Sequence, residues 1–125
     1  MSRPAFLMAE PEHEQELSAR KLVLEAAKFN VLTAHSGREA MELIQQFPRV
    51  AALIVHADIR NTGCAEVVKA IKAHHPQLPT ILLASSDSSG CDGIDHRVSS
   101  HDPGELLHLL RSLFGDPRHL EPQQA

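Results

Sequence analysis

Four short apolar runs and a weaker fifth alternate with helix-length amphipathic stretches, and this alternation limits the folds open to the chain. Residues 4–9 (PAFLMA), 30–34 (NVLTA), 51–55 (AALIV) and 80–84 (TILLA) have strand length, and 96–99 reads as the weaker fifth strand. The 51–55 run is continuously apolar between breakers, which suits a strand covered on both faces. Strands that alternate with helices predict a parallel sheet with helices on both sides. Right-handed crossovers then favour a flavodoxin-like α/β fold, a five-stranded sheet in the order 2-1-3-4-5. Ligands of such sheets bind beyond the carboxyl ends of the strands, beside the point where strand order reverses. That rim would hold residues 9–11, 56–58 and 84–85.

The intervening stretches carry helix signals. Residues 12–28 have Glu12, Glu14 and Glu16 in the first turn, where acid complements the helix dipole. Their apolar side reads as Leu17, Ala19, Leu22, Val23, Ala26 and Ala27. Ser36 and Glu39 have capping-box spacing ahead of a helix that runs to about Gln46, with Ala40, Leu43 and Ile44 as its stripe and Pro48 beyond it. Residues 65–73 form a helix with Val67, Val68 and Ile71 inward. Asp102 caps a last helix with Pro103 at its first position, and Leu106, Leu107, Leu109, Leu110, Leu113 and Phe114 supply its contacts. Residues 85–93 (SSDSSGCDG) lack periodicity and read as a loop.

A chain of 125 residues fits one domain. We place it at 4–114, followed by a polar tail over 115–125. Trp and Tyr are absent, so the core falls to Leu, Ile, Val and Ala. A net charge of -4 offers no basic face for phosphate neutralisation, which argues against direct nucleic-acid binding. No apolar run approaches the ~20 residues of a membrane span. No basic segment leads into an apolar one at the start, so no secretion signal is read and a cytoplasmic location is expected. Cys64 and Cys91 have neither metal-type nor redox-type spacing and read as two reduced thiols. His74 and His75 follow a helix end, where the dipole suits them. The serine-rich loop lacks the P-loop lysine and spacing. There is no GxSxG elbow, and AEPE after the first strand is not a flavin phosphate loop.

The segments FLMAEPEHEQEL (6–17), VLTAHSGREAMELI (31–44), VAALIVHADIRNTGCAEVVKAIK (50–72), LPTILLAS (78–85) and HDPGELLHLL (101–110) are each generic α/β sequence. In this order and spacing the chain resembles the receiver domains of two-component response regulators over about residues 4–114.

The resemblance implies a pocket that can be checked residue by residue. The family's acidic pair after the first strand, which holds Mg²⁺, falls on Glu10 and Pro11. The phosphoacceptor aspartate falls on His56. The hydroxyl ending the fourth strand falls on Ala84, with Ser85 next. The conserved lysine of the fifth strand falls on Ser99, the proline after it on Ser100 and the aromatic switch on His96. The usual proline and glycine after the acceptor fall on Arg60 and Cys64. The family's fourth helix reads as shortened to a turn or lost.

These departures imply a degenerate phosphoryl pocket: a pseudo-receiver that is not an enzyme and meets other signalling proteins. No cofactor is expected. The alternative is a stand-alone phosphorylatable regulator. If the third strand continued past His56, period two would put Asp58 on the same face and make it the acceptor, with Mg²⁺. A third reading is a small metal- or phosphate-handling enzyme, with His56, Glu10 and Asp58 as conceivable ligands. Receivers often pair, and the leucine-rich LLHLLRSLF stretch would serve a homodimer.

Overall fold

Each apolar run forms a strand. In the computed structural model, which describes residues 4–11, 19–86 and 90–117, the elements follow as β1 (Ala5–Ala9), α1 (Ala19–Ala26), β2 (Asn30–Ala34), α2 (Gly37–Gln46) and β3 (Ala52–His56). Then come α3 (Cys64–His74), β4 (Thr80–Ala84), β5 (His96–Ser99) and α4 (Pro103–Phe114). All strand pairs are parallel and the order is β2-β1-β3-β4-β5, as the alternation predicts.

Side chains alternate across the sheet and build two cores. Leu7, Ala9, Leu53, Val55 and Leu82 pack on Ala40 and Ile44 of α2 and on Val67, Val68 and Ile71 of α3. Phe6, Met8, Ile54, Ile81, Leu83 and Val98 point to the opposite face, onto Leu24 of α1 and Leu106 and Leu110 of α4. Burying one such Leu or Ile contributes roughly 2 kcal/mol. Phe6 stacks at a tilt against Phe29 and Phe114, with ring centres 5.1 and 5.3 Å apart.

The predicted caps form. Ser36 Oγ accepts from the Glu39 N–H at 3.1 Å, and Asp102 Oδ1 from the Glu105 N–H at 3.2 Å, with Pro103 opening α4. Each satisfies an amide that a helix start leaves unpaired.

Two details differ from the sequence reading, and one expectation falls outside the described residues. β3 runs one residue further than expected, to His56. The expected start of the first helix (12–18), with Glu12, Glu14, Glu16 and Leu17, lies outside the described residues. The inward face of α1 is the expected one only in part: Ala27 is buried and Val23 half buried, but Leu22 is half exposed, Ala19 and Ala26 are exposed, and the fully buried residue is Leu24. Leu24 shares its helix face with Arg20 and, one step on, Ala27; the charged Arg20 masks that stripe.

Among the described residues no helix joins β4 to β5. Cys91 and Ile94 lean on the α2/α3 core in its place. Asp95 fastens this connection. Its carboxylate accepts from Lys72 Nζ at 2.9 Å and from the N–H and hydroxyl of the fully buried Thr80 at 2.9 and 3.0 Å.

Candidate functional site at the carboxyl rim of the sheet

Because every strand is parallel, β1, β3, β4 and β5 all end on one rim. Ala9 pairs with Val55, His56 with Leu83 and Ala84 with Ser99. Glu10 and His56 therefore each lie one residue past a paired Ala9 and Val55, at the point where strand order reverses.

Glu10 is 1% exposed. Its N–H donates to the Ala34 carbonyl at 2.9 Å, which extends β1 toward β2. Alternation turns its side chain to the face covered by α1. There Arg20 Nε and Nη2 donate to Oε2 at 2.9 and 2.8 Å, and Nη1 donates to the Ser100 carbonyl at 2.6 Å. One guanidinium thus neutralises the buried acid and ties the end of β1 to the turn after β5. Charge-assisted bonds of this kind are among the stronger ones in a protein.

His56 sits beside Glu10 on the rim, its side chain 14% exposed. Its Nδ1 accepts from the Asp58 N–H at 3.0 Å, so the neutral ring carries its proton on Nε2. The His56 carbonyl accepts from the Ile59 N–H at 3.1 Å. These two bonds bend the chain, and β3 stops at His56. The continuation that would have set Asp58 on the face of His56 does not occur. The Asp58 side chain is 75% exposed, with Oδ2 3.9 Å from His56 Nδ1.

The loop that follows is strapped to α2. Gly37 N–H donates to the Arg60 carbonyl at 2.9 Å and Arg38 N–H to the Asn61 carbonyl at 2.8 Å. The loop's carbonyls thereby occupy two amides at the α2 start. Asn61 and Thr62 take positive φ, 53° and 87°, and for a β-branched residue such as Thr62 that is strained.

On the β4–β5 side Ala84 is buried, and the Ser100 N–H donates to its carbonyl at 3.1 Å. Ser99 Oγ accepts from the His101 N–H at 3.1 Å, while the Ser99 N–H donates to Glu105 Oε2 at 3.3 Å. Arg97 Nη2 donates to the Ser85 carbonyl at 3.0 Å. A hollow of about 390 Å³ opens here between Ala84, Ser85, Arg97, Ser99 and Glu105. His96 is half buried in β5 opposite Ile81.

The rim thus gathers Glu10, Pro11, His56, Ala84 and Ser99, and leaves Asp58 outside on the turn. Among the described residues no three His, Cys, Asp or Glu side chains converge as a metal site. Sequence reasoning missed Arg20. Its signal was available as a cation four residues before the buried Leu24, on the helix that follows the acid. It also missed the Asp95 network.

No family profile and no curated protein sequence matches this chain. Solved structures do. A response regulator receiver domain from Clostridium thermocellum is 17% identical, covers 94% of this chain and 99% of its own length, and has a TM-score of 0.75. The chemotaxis response regulator CheY4 of Vibrio cholerae is 20% identical over 90% of this chain and 100% of its own, at 0.77. A CheY-like receiver domain from Methanospirillum hungatei is 14% identical over 96% and 100%, at 0.78. The chain therefore has the fold of response regulator receiver domains, at 14–20% sequence identity to these three.

Proposed function

We propose that this chain is a receiver-type signalling module that acts through contacts with other signalling proteins, without aspartyl phosphorylation. The bond between Glu10 and Arg20 carries the reading. The buried carboxylate on the inner rim, Glu10, is already neutralised by a cation of the same chain. Mg²⁺ needs near-octahedral oxygen ligands, usually carboxylates. A carboxylate held by a guanidinium, beside a histidine whose Nδ1 is engaged, does not fit that ion. A phosphoryl group needs donors and positive charge aimed at it. Ser99 brings no cation, and Arg20 is spent on Glu10 and Ser100. Phosphorylation without differential contacts cannot bias a conformational equilibrium. The module therefore works as a fixed binding partner, and no metal or phosphate chemistry is assigned to it.

Incubation with acetyl phosphate and Mg²⁺, followed by intact mass measurement, tests this. The unmodified mass is expected. A stoichiometric phosphoryl adduct, lost in Asp58→Asn, would replace the reading with that of a phosphorylatable regulator using the exposed turn.

A further inference from the structure

A cleft of about 650 Å³ lies at the foot of the sheet, at the amino ends of β1 and β3 and therefore opposite the rim. Leu32 of β2 and Val50 and Ala51 on the approach to β3 line it, with Phe47 at the end of α2 and Phe114 at the end of α4. Both aromatic walls are held in place. Phe114 stands against Phe6 with ring centres 5.3 Å apart. The Phe47 N–H donates to the Leu43 carbonyl at 2.8 Å and closes α2. Phe47 is nevertheless 46% exposed, so its ring adds to an apolar lining that is open to solvent. Preformed apolar clefts of ~300–1,000 Å³ are the usual sites of small molecules.

Charge selects the occupant. Arg49 is the only charged side chain among the described residues that line the cleft. Arg20, Arg38, Lys72 and Arg111 each pair with an acid. Arg49 is exposed and forms no ion pair with a described residue. Two helices, α2 and α4, end at the cleft, and α2 has no basic residue in its last turn. Carbonyl ends of helices repel negative charge within about one turn. They keep an anion off the floor, while the full guanidinium charge holds it at the open side. We propose that this cleft binds a small amphipathic monoanion, a carboxylate whose apolar body lies between Phe47 and Phe114 and whose head pairs with Arg49. The site is at the opposite end of the sheet from Glu10 and His56 and does not depend on how the rim is read.

The test titrates the full chain with decanoate, below its micelle threshold, and follows amide shifts by NMR. Saturable shifts at Leu32, Phe47, Val50 and Phe114 are expected, with Glu10, His56 and Ser99 unmoved. Decyltrimethylammonium has the same chain length and a cationic head, and should bind roughly tenfold more weakly or worse. Arg49→Glu should reverse that order of preference, which a purely structural role for Arg49 would not do. Arg49 is exposed, so this change leaves the core intact. Phe47→Ala should weaken both probes. No saturable shifts, equal binding of the two heads, or an unchanged preference in Arg49→Glu would each overturn the proposal. So would a dimer seen in sedimentation that Phe47→Asp dissociates and decanoate does not, because the cleft would then belong to a second copy of the chain.

Discussion

Arg20 of α1 grips Glu10, the residue just after β1, through two nitrogens, at 2.9 and 2.8 Å, and sends its third to the Ser100 carbonyl after β5 at 2.6 Å. Glu10 is 1% exposed at its side chain and Arg20 12%. A helix, the first strand and the last turn thus meet at one ion pair on the rim of the sheet. The rim gains internal charge balance, with Glu10 Oε2 taken up by the Arg20 guanidinium.

Removing one partner of such a pair leaves an uncompensated buried charge. Arg20→Met is expected to destabilise the fold by about 3 kcal/mol, while the double change with Glu10→Gln recovers much of that loss. Urea unfolding of the two single variants and the double one measures the coupling. Strictly additive losses would mean that the pair carries no interaction energy.

Gly37 meets the loop after β3 at closest approach. A Cβ there would run into the Thr62 carbonyl oxygen and come within 2.7 Å of Val67 Cγ2 and 3.0 Å of the Asn61 carbonyl oxygen. Backbone cannot yield as a side-chain tip can. Gly37→Ala is therefore expected to cost at least about 2 kcal/mol. Thr62 holds a φ of 87°, so Thr62→Gly should stabilise by about 1 kcal/mol through relief of strain. Chemical denaturation of both variants reads these opposite signs. A neutral Gly37→Ala would contradict the close docking of α2 on this loop.

Asp95 links α3, β4 and β5. Burial pulls its carboxyl upward, but the Lys72 ammonium and the Thr80 N–H and hydroxyl outweigh burial and hold it below the usual value of 3.8. A folded-state value below the unfolded one stabilises the fold above the unfolded range and loses that contribution as pH falls through the folded value. Wild type should exceed Asp95→Asn in stability at neutral pH, and the gap should close below about pH 4. Asp95→Ala leaves the buried Thr80 donors without this partner and should cost about 2 kcal/mol. A gap that widened in acid would contradict the assignment.

His56 Nδ1 holds the turn after β3 through the Asp58 N–H. His56→Ala should cost about 1 kcal/mol, the worth of a typical hydrogen bond, with amide shift changes centred on Asp58 and Ile59. His56→Gln retains an acceptor and should recover part of that loss. Equal losses in both variants would point to ring packing as the source.

The alternation of apolar and amphipathic stretches made the sheet legible, since parallel pairing and right-handed crossovers leave few other arrangements. The caps at Ser36 and Asp102 were equally readable, because their chemistry is local. Arg20 was not. Its role depends on which side of α1 turns inward, and the weakly apolar run around Leu22 and Val23 pointed the helix the wrong way. A charged residue on an inward face becomes visible only when its partner is known to be buried. The continuation of β3 toward Asp58 is absent for a complementary reason. Period two holds only while a strand continues, and the His56 imidazole ends β3 by taking the Asp58 N–H. The Asp95 network spans α3, β4 and a connection without helical periodicity, so no spacing rule could signal it.

The most direct measurement is an amide NMR titration of the purified chain with Mg²⁺ and beryllofluoride, a mimic of an acyl phosphate. The Arg20–Glu10 account predicts a flat response at millimolar ligand for Glu10, His56, Asp58 and Ser99. Saturable shifts at Glu10 and Asp58, abolished by Asp58→Asn, would contradict it and return phosphoryl chemistry to this rim.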